Sequence, residues 1–392
     1  MSQGPSWRTF YVALFVYRCA WSVVAQKYIL GLTTLGDSSS FQRSIRLSDG
    51  GPGFRVIDSN LIEPGYLSNS RMVATHFTEL LGGVFNFALG GNALLINFAF
   101  QSIAFVGIVA FLRAAPVRLR VWLALLLMLP SFTIWSSVAS KEAIVVLGMG
   151  VVGAYIIRLY DGTARLHIGV ALSFFLILFF KPQYLPAIAF IIFGTFVGKY
   201  VSQKIFFLVV VGLLSLVPLY LFRDAIDAMA LDIPRHFSSF SSTAAENISA
   251  TRPAYWTEQY DVFRKAPYGM FQSFFGPTLG ETSRGILLAA SFVESLFLIF
   301  VLAVYSIKQF FRLPAFMIVM SAFTLFWILF TAYPTGMMNP GTALRYRTGY
   351  EILIFLAIVV LLSRETYIGW RGVATAKVEK ESPRGLSAGD LS

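Results

Sequence analysis

Residues that build disulfides and metal centres are nearly missing from this chain. The single cysteine, Cys19, lies inside the first apolar segment, which excludes a disulfide framework and a cysteine-built metal site. The three histidines, His76, His167 and His236, are far apart and none has the spacing of a zinc ligand pair. Charge is scarce as well: 13% of the 392 residues are charged and 56% are hydrophobic, with a mean hydropathy of +0.69. That balance is too apolar for a soluble domain of this length and identifies a polytopic membrane protein. Acidic residues are the scarcer sign, 20 against 31 basic, which leaves a net charge of +11. The basic residues sit between apolar runs rather than in one patch, so they point to an anionic lipid surface and not to nucleic acid.

What is present is a succession of apolar runs of roughly spanning length. The first covers about 10 to 33 and carries Arg18 and Lys27, which are costly in lipid unless they snorkel or face a protein cavity. Arg8 is followed directly by apolar sequence without a small-residue cleavage site, so no cleavable signal is expected. Further runs lie at about 92 to 112, 119 to 136, 142 to 160, 166 to 180, 182 to 198, 205 to 222, 286 to 307, 314 to 334 and 350 to 363. The run from 166 to 198 is broken at Lys181-Pro182, read as a tight turn between two short helices, with a single kinked re-entrant element as the competing reading.

The sequence therefore predicts an all-α polytopic membrane protein with about ten transmembrane helices. Residues 1–363 form a single transmembrane domain and 364–392 a flexible cytoplasmic tail. A long first outer loop spans 34–89, with an interfacial amphipathic helix over 72–89, and a second large outer loop spans 223–285. Short loops with Arg113, Arg118 and Arg120, with Arg158 and Arg165, with Lys199 and Lys204, and with Lys308 and Arg312 fall on one side together with a basic tail. The positive-inside bias places that side, and both termini, in the cytoplasm.

Three short outer loops break the bias, with Lys141, Lys181 and the pair Arg345 and Arg347. The last pair lies in a polar hairpin, 335 to 350, between two apolar runs. Basic groups there invite a functional reading, capture of an anionic group such as a lipid-linked phosphate, with ordinary interfacial cations as the alternative. Ser140 is suited to cap the helix that follows it and Glu142 to sit in its first turn, an account that leaves Lys141 over. Asp37 stands just past the first span, where a carboxylate can take a proton from a hydroxyl, bind a divalent metal that holds a phosphate, or close an Asx turn. Glu142, Tyr184, Tyr255, Trp256, Asn339 and Tyr346 are candidates for substrate contact. The loop 223–285 also carries Tyr260, Tyr268, Phe271, Glu258 and Asp261, an aromatic and acidic set suited to sugars or to the membrane interface. Glu294 lies about two turns into its helix and is expected to face a cavity or a cation. Glu351 is one turn after Arg347, which makes a local ion pair the default.

An acid at the start of a long first outer loop, followed by interface helices and many spans, resembles the GT-C class of membrane glycosyltransferases. Pro130 through Glu142, and Asn339-Pro340-Gly341-Thr342-Ala343-Leu344-Arg345-Tyr346-Arg347, are similar to segments of multi-span proteins and polymerases from bacterial exopolysaccharide and O-antigen gene clusters. The resemblance implies a GT-C-like fold and a transferase on the outer face of the bacterial inner membrane. Its donor would be a polyprenyl phosphate or pyrophosphate sugar and its acceptor a glycan, alongside membrane lipid and other polysaccharide-assembly proteins. Asp37 matches the catalytic base or metal-binding acid of such enzymes, with Mg or Mn as the candidate metal, although this chain has one acid there where a pair is frequent. Arg345 and Arg347 match the outer-loop arginines of polymerases and ligases. A repeat-unit polymerase and, from another class, a flippase or exporter of lipid-linked saccharide are the alternatives.

Overall fold

The computed structural model of the chain describes residues 7–29, 41–42, 70–241, 252, 256–337 and 339–363. Asp37, Tyr255, most of the first outer loop and the tail from 364 lie outside these residues. Among the described residues every regular element is helical. In chain order they are α1 (Trp7–Val24), α2 (Ser70–Ala88), α3 (Ala93–Ala114), α4 (Val117–Leu127), α5 (Pro130–Ser136), α6 (Lys141–Tyr160), α7 (Ile168–Phe180) and α8 (Leu185–Tyr200). There follow α9 (Lys204–Leu214), α10 (Val217–Leu221), α11 (Arg223–Ser241), α12 (Asp261–Arg264), α13 (Ala266–Phe275), α14 (Ile286–Phe310), α15 (Ala315–Gly336) and α16 (Pro340–Phe355).

Five stretches are long and apolar enough to cross a membrane: α3, α6, α9 with α10, α14 and α15. The number rises to seven if each of two bent pairs is one span. In the first pair, α4 and α5, the chain turns by 78°, so the run from 119 to 136 is not the straight span its composition suggests. Pro130 has no N–H to continue the preceding helix and instead opens α5. In the second pair the chain turns by 113° between Ile168–Phe180 and Pro182–Tyr200. Lys181 stands at the apex of this bend, which has the geometry of either a broken span or a re-entrant element.

α3 and α6 form the centre, and they run parallel. A Cβ on Gly150 would clash with the carbonyl oxygen of Gly107, and Gly153 lies against the ring of Phe111. Only glycine lets two helix backbones meet this closely, the means by which helices associate where no water drives them together. α6 is enclosed on nearly all sides, while α14 turns Val293, Phe297, Phe300 and Ile307 outward. In a membrane protein such an apolar outer face is the one that meets lipid. Because α3 and α6 are parallel, with Phe111 level with Gly153, Lys141 and Arg113 mark opposite ends of the bundle, separated by about 20 Å along the axis at the helical rise of 1.5 Å per residue.

Two expected loops are largely helical. The region 223–285 contains α11, α12 and α13, and the supposed hairpin around 345 belongs to α16, which starts at Pro340. α2 confirms the helix expected over 72–89. It buries Ala74 and Thr78 and sets Phe77 against Phe179 and Phe180, leaving Leu80, Val84 and Phe87 exposed.

Candidate functional site

The site is built at the end of the bundle where α6 begins. Ser140 caps α6, its hydroxyl accepting from the Ala143 N–H at 3.2 Å, as the sequence predicts. The cap fixes the first turn and turns Glu142 inward, where its residue is 1% exposed. Two cations converge on that carboxylate. Lys181, at the apex between α7 and α8, brings Nζ to 3.9 Å from one oxygen, and Arg345 of α16 brings Nε to 3.0 Å from the other. Aromatic faces hold both: Lys181 Nζ lies 3.7 Å from the centre of the Tyr346 ring, and the Arg345 guanidinium 5.6 Å from that of Trp135. Among the described residues, one carboxylate thus lies between two cations. The cluster stands beside buried tyrosines, Tyr184 and Tyr350, whose rings meet at 5.6 Å. Neither tyrosine hydroxyl has a hydrogen-bond partner among the described residues.

Arg347, two residues from Arg345, is somewhere else entirely. Successive helical residues are 100° apart, so positions i and i+2 lie on nearly opposite faces. Arg347 points into the core and is fully buried. Its Nη2 donates to Glu294 at 2.9 Å and to the Ser131 hydroxyl at 2.6 Å, and its Nη1 to Ser295 at 2.9 Å and to the Phe274 carbonyl at 3.3 Å. Glu294 also accepts from the Ser131 N–H at 2.9 Å and from the Ser131 hydroxyl. Glu294 therefore faces a cation as expected. The local pair expected between Arg347 and Glu351 does not form, and neither carboxyl oxygen of Glu351, fully buried, has a hydrogen-bond partner among the described residues. A cavity of about 170 Å³ between α13 and α14 reaches Ser295 and is lined mainly by Phe271, Phe275, Leu296 and Ile299.

The expectation that Lys141, Lys181, Arg345 and Arg347 gather in one place is thus corrected. Lys181 and Arg345 meet, Arg347 is sealed in the core, and Lys141 donates to the Thr75 hydroxyl of α2. Asn339 caps α16, its Oδ1 accepting from the Gly341 and Thr342 N–H groups at 2.7 and 3.3 Å. Trp256 is buried against Tyr333, ring centres 6.0 Å apart, and does not present a face for stacking. Asp261 accepts from the Thr257 and Glu258 N–H groups, each at 3.0 Å, and from Lys265 at 2.9 Å. The Lys265 ammonium and those two amides hold its carboxyl well below the usual carboxylate range. Its hydrogen-bonding capacity is therefore used within the loop. Glu258 forms an exposed pair with Arg264 at 3.4 Å.

Three parts of the arrangement were not evident in the sequence. Ser131, Ser295 and Trp135 have no signature by themselves, and only Pro130 marked the turn that aims Ser131. Arg252 is buried and grips Glu281 with two bonds of 2.6 and 2.8 Å, and it also reaches the carbonyls of Gly276, Gly336 and Met337. Burial pushes the Glu281 carboxyl up, but the Arg252 guanidinium and the Thr278 N–H outweigh it and hold the group below the usual glutamate range. In the C-terminal half of α1, Arg18 is fully buried, donating to the Ser136 hydroxyl at 2.7 Å beneath the Phe132 ring.

No group of three or more histidine, cysteine, aspartate or glutamate side chains suited to a metal occurs among the described residues. Glu142, already neutralised by two cations, does not fit the role of metal ligand. Lys181 and Arg345 can instead hold an anion, since guanidinium and ammonium groups bind phosphate directly.

The architecture and this polar interior are those of an all-α polytopic membrane protein. Comparison with protein-family models, curated proteins and solved structures gives no match for the chain.

Proposed function

We propose that the chain is a membrane glycosyltransferase of about ten spans in the bacterial inner membrane. It transfers a sugar from a polyprenyl-phosphate-linked donor to a glycan acceptor on the outer face, in cell-surface polysaccharide biosynthesis. One observation carries this reading: Lys181 and Arg345, brought from distant parts of the chain, share the single carboxylate of Glu142 at the end of the bundle that the basic loops assign to the outside. A donor phosphate is held by these two cations. As the bond from the anomeric carbon to the phosphate oxygen breaks, negative charge grows on the departing phosphate, and Lys181 and Arg345 stabilise it away from bulk water. The new bond forms between that carbon and the acceptor oxygen, whose proton passes to a carboxylate, for which Asp37 is the candidate. Gln42, five residues beyond Asp37 in the sequence, is anchored at this end by Asn97 and Gln26, each at 2.9 Å.

The test is single-turnover transfer of isotope-labelled sugar from a polyprenyl-phosphate donor by the purified chain. Covalent product from the native protein and its loss in Arg345→Gln and Lys181→Gln supports the reading; equal product from the variants ends it. Product length separates a one-sugar transferase from a repeat-unit polymerase. A second reading, a flippase of lipid-linked saccharide, is favoured by the Glu294–Arg347 pair and the unpartnered Glu351, since buried charges within a membrane bundle often mark transport paths. Translocation of labelled lipid-linked saccharide across sealed vesicles without covalent product would establish it.

A further inference from the structure

At the end of the bundle remote from Lys181 and Arg345, the start of α1, the end of α3 and the start of α4 enclose an open pocket of about 580 Å³. It is lined by Trp7, Arg8, Tyr11, Val12, Phe15, Phe105, Arg113 and Arg120, of which the first five lie along α1 in order of depth. Three arginines and no acid make up its charged lining, and none of the three is in an ion pair among the described residues. Two are held in place without being neutralised. Arg120 donates to the carbonyls of Ala115 and Arg113 at 3.0 and 2.8 Å and lies 5.2 Å from the Trp7 ring centre, while Arg113 lies 5.6 Å from that of Tyr11. Arg8 is exposed at the rim.

The chemistry grades along one axis. Guanidinium groups and amphipathic rings stand at the helix ends, and Val12, Phe15 and Phe105 continue along the groove toward the middle of α1 and α3, with Val12 itself exposed. A free anion would use only the first part of this lining. An amphiphile uses all of it, its phosphate on the arginines and its chain along the apolar residues.

We propose that this pocket is a binding site for an anionic phospholipid, whose phosphate is held by Arg8, Arg113 and Arg120 and whose acyl chain lies along Val12, Phe15 and Phe105. It is separate from the Lys181–Arg345 cluster and independent of the reaction assigned to that cluster. The pocket joins α1 to α3 and α4 through the lipid, so occupancy also tightens the packing of the first helix.

The experiment takes the full chain in vesicles of equal phosphatidylglycerol and phosphatidylcholine, extracts it in mild detergent, and measures retained lipid by native mass spectrometry. Preferential retention of phosphatidylglycerol is expected, with a loss of about fivefold for each guanidinium removed. Arg8→Gln is the informative variant, because Arg8 is exposed and makes no bond among the described residues, so its loss leaves the fold intact. Arg113→Gln with Arg120→Gln should abolish the preference. Equal retention of both lipids, or unchanged retention in Arg8→Gln and in the double variant, overturns the site. Displacement of the lipid by millimolar inorganic phosphate would assign the pocket to free phosphate and overturn the lipid assignment.

Discussion

Arg345 and Arg347 are separated by one residue and live in opposite environments. Arg345 stands at the mouth of the bundle, its side chain 18% exposed, sharing Glu142 with Lys181. Arg347 is 0% exposed and meets one carboxylate, two hydroxyls and a carbonyl. The first group lies at an accessible edge, where a ligand can reach it. The second has its charge matched and four of its partners fixed, so it ties α16 to α5, α13 and α14. The contrast teaches that two arginines of one short segment need not belong to one functional class. A helix sends residues two apart to different faces, and burial then decides which of them is available.

The sharpest way to break this comparison is to remove Arg347. Arg347→Ala strands Glu294 in a dry interior and should cost about 3–5 kcal/mol, as breaking a buried ion pair does. Thermal unfolding in detergent checks this, and Arg347→Ala with Glu294→Ala should recover much of the loss because no charge then remains unmatched. If Arg347→Ala keeps the native melting temperature, the buried pair is not structural and the contrast fails.

Next in size is the opposite behaviour at the mouth. Arg345→Gln or Lys181→Gln should lower turnover by about 10²–10³-fold, the scale of one preorganised charge-stabilising group, with a smaller loss of melting temperature than Arg347→Ala because the second cation remains against Glu142. Equal loss of stability and activity would make Arg345 a second Arg347.

A smaller effect is expected where burial and access are mixed. Arg252 and Glu281 are buried, yet Glu281 keeps the Thr278 N–H at 2.7 Å if the arginine is lost. Its carboxyl is held below the usual glutamate range in the fold, so the pair's stabilisation is complete above the unfolded value of about 4.3 and disappears as pH falls through the lower folded value. The melting-temperature gap between the native chain and Arg252→Gln should therefore be widest at neutral pH and close on acidification; a gap independent of pH would contradict the pairing. The smallest effect belongs to Glu258 and Arg264, whose side chains are 73% and 65% exposed. Breaking that pair should leave the melting temperature unchanged within error, since water already satisfies both groups.

Much of the scaffold was legible because a membrane imposes long apolar segments, and those segments are visible in composition. α3, α6, α14 and α15 fall where the apolar runs predict them, and Ser140 caps α6 as its residue type suggests. The site was legible only in part. Lys181 and Arg345 could be singled out as cations that break the charge bias, but Trp256, Asn339 and Asp261 resembled ligand contacts while serving as core packing and caps. A side chain that caps a helix and one that binds a sugar are the same residue type, and only its neighbours distinguish the roles.

By itself the sequence determined the helical, membrane-embedded character of the chain, because hydropathy and helix capping are properties of short segments. Tertiary structure alone decided that Glu142 would collect Lys181 and Arg345, that Arg347 would close on Glu294, and that Arg8, Arg113 and Arg120 would line one pocket. Each of these depends on which face a helix turns to a partner distant in sequence. That choice is made by packing, such as the approach of Gly107 to Gly150 and the turn at Pro130, and no single segment encodes it.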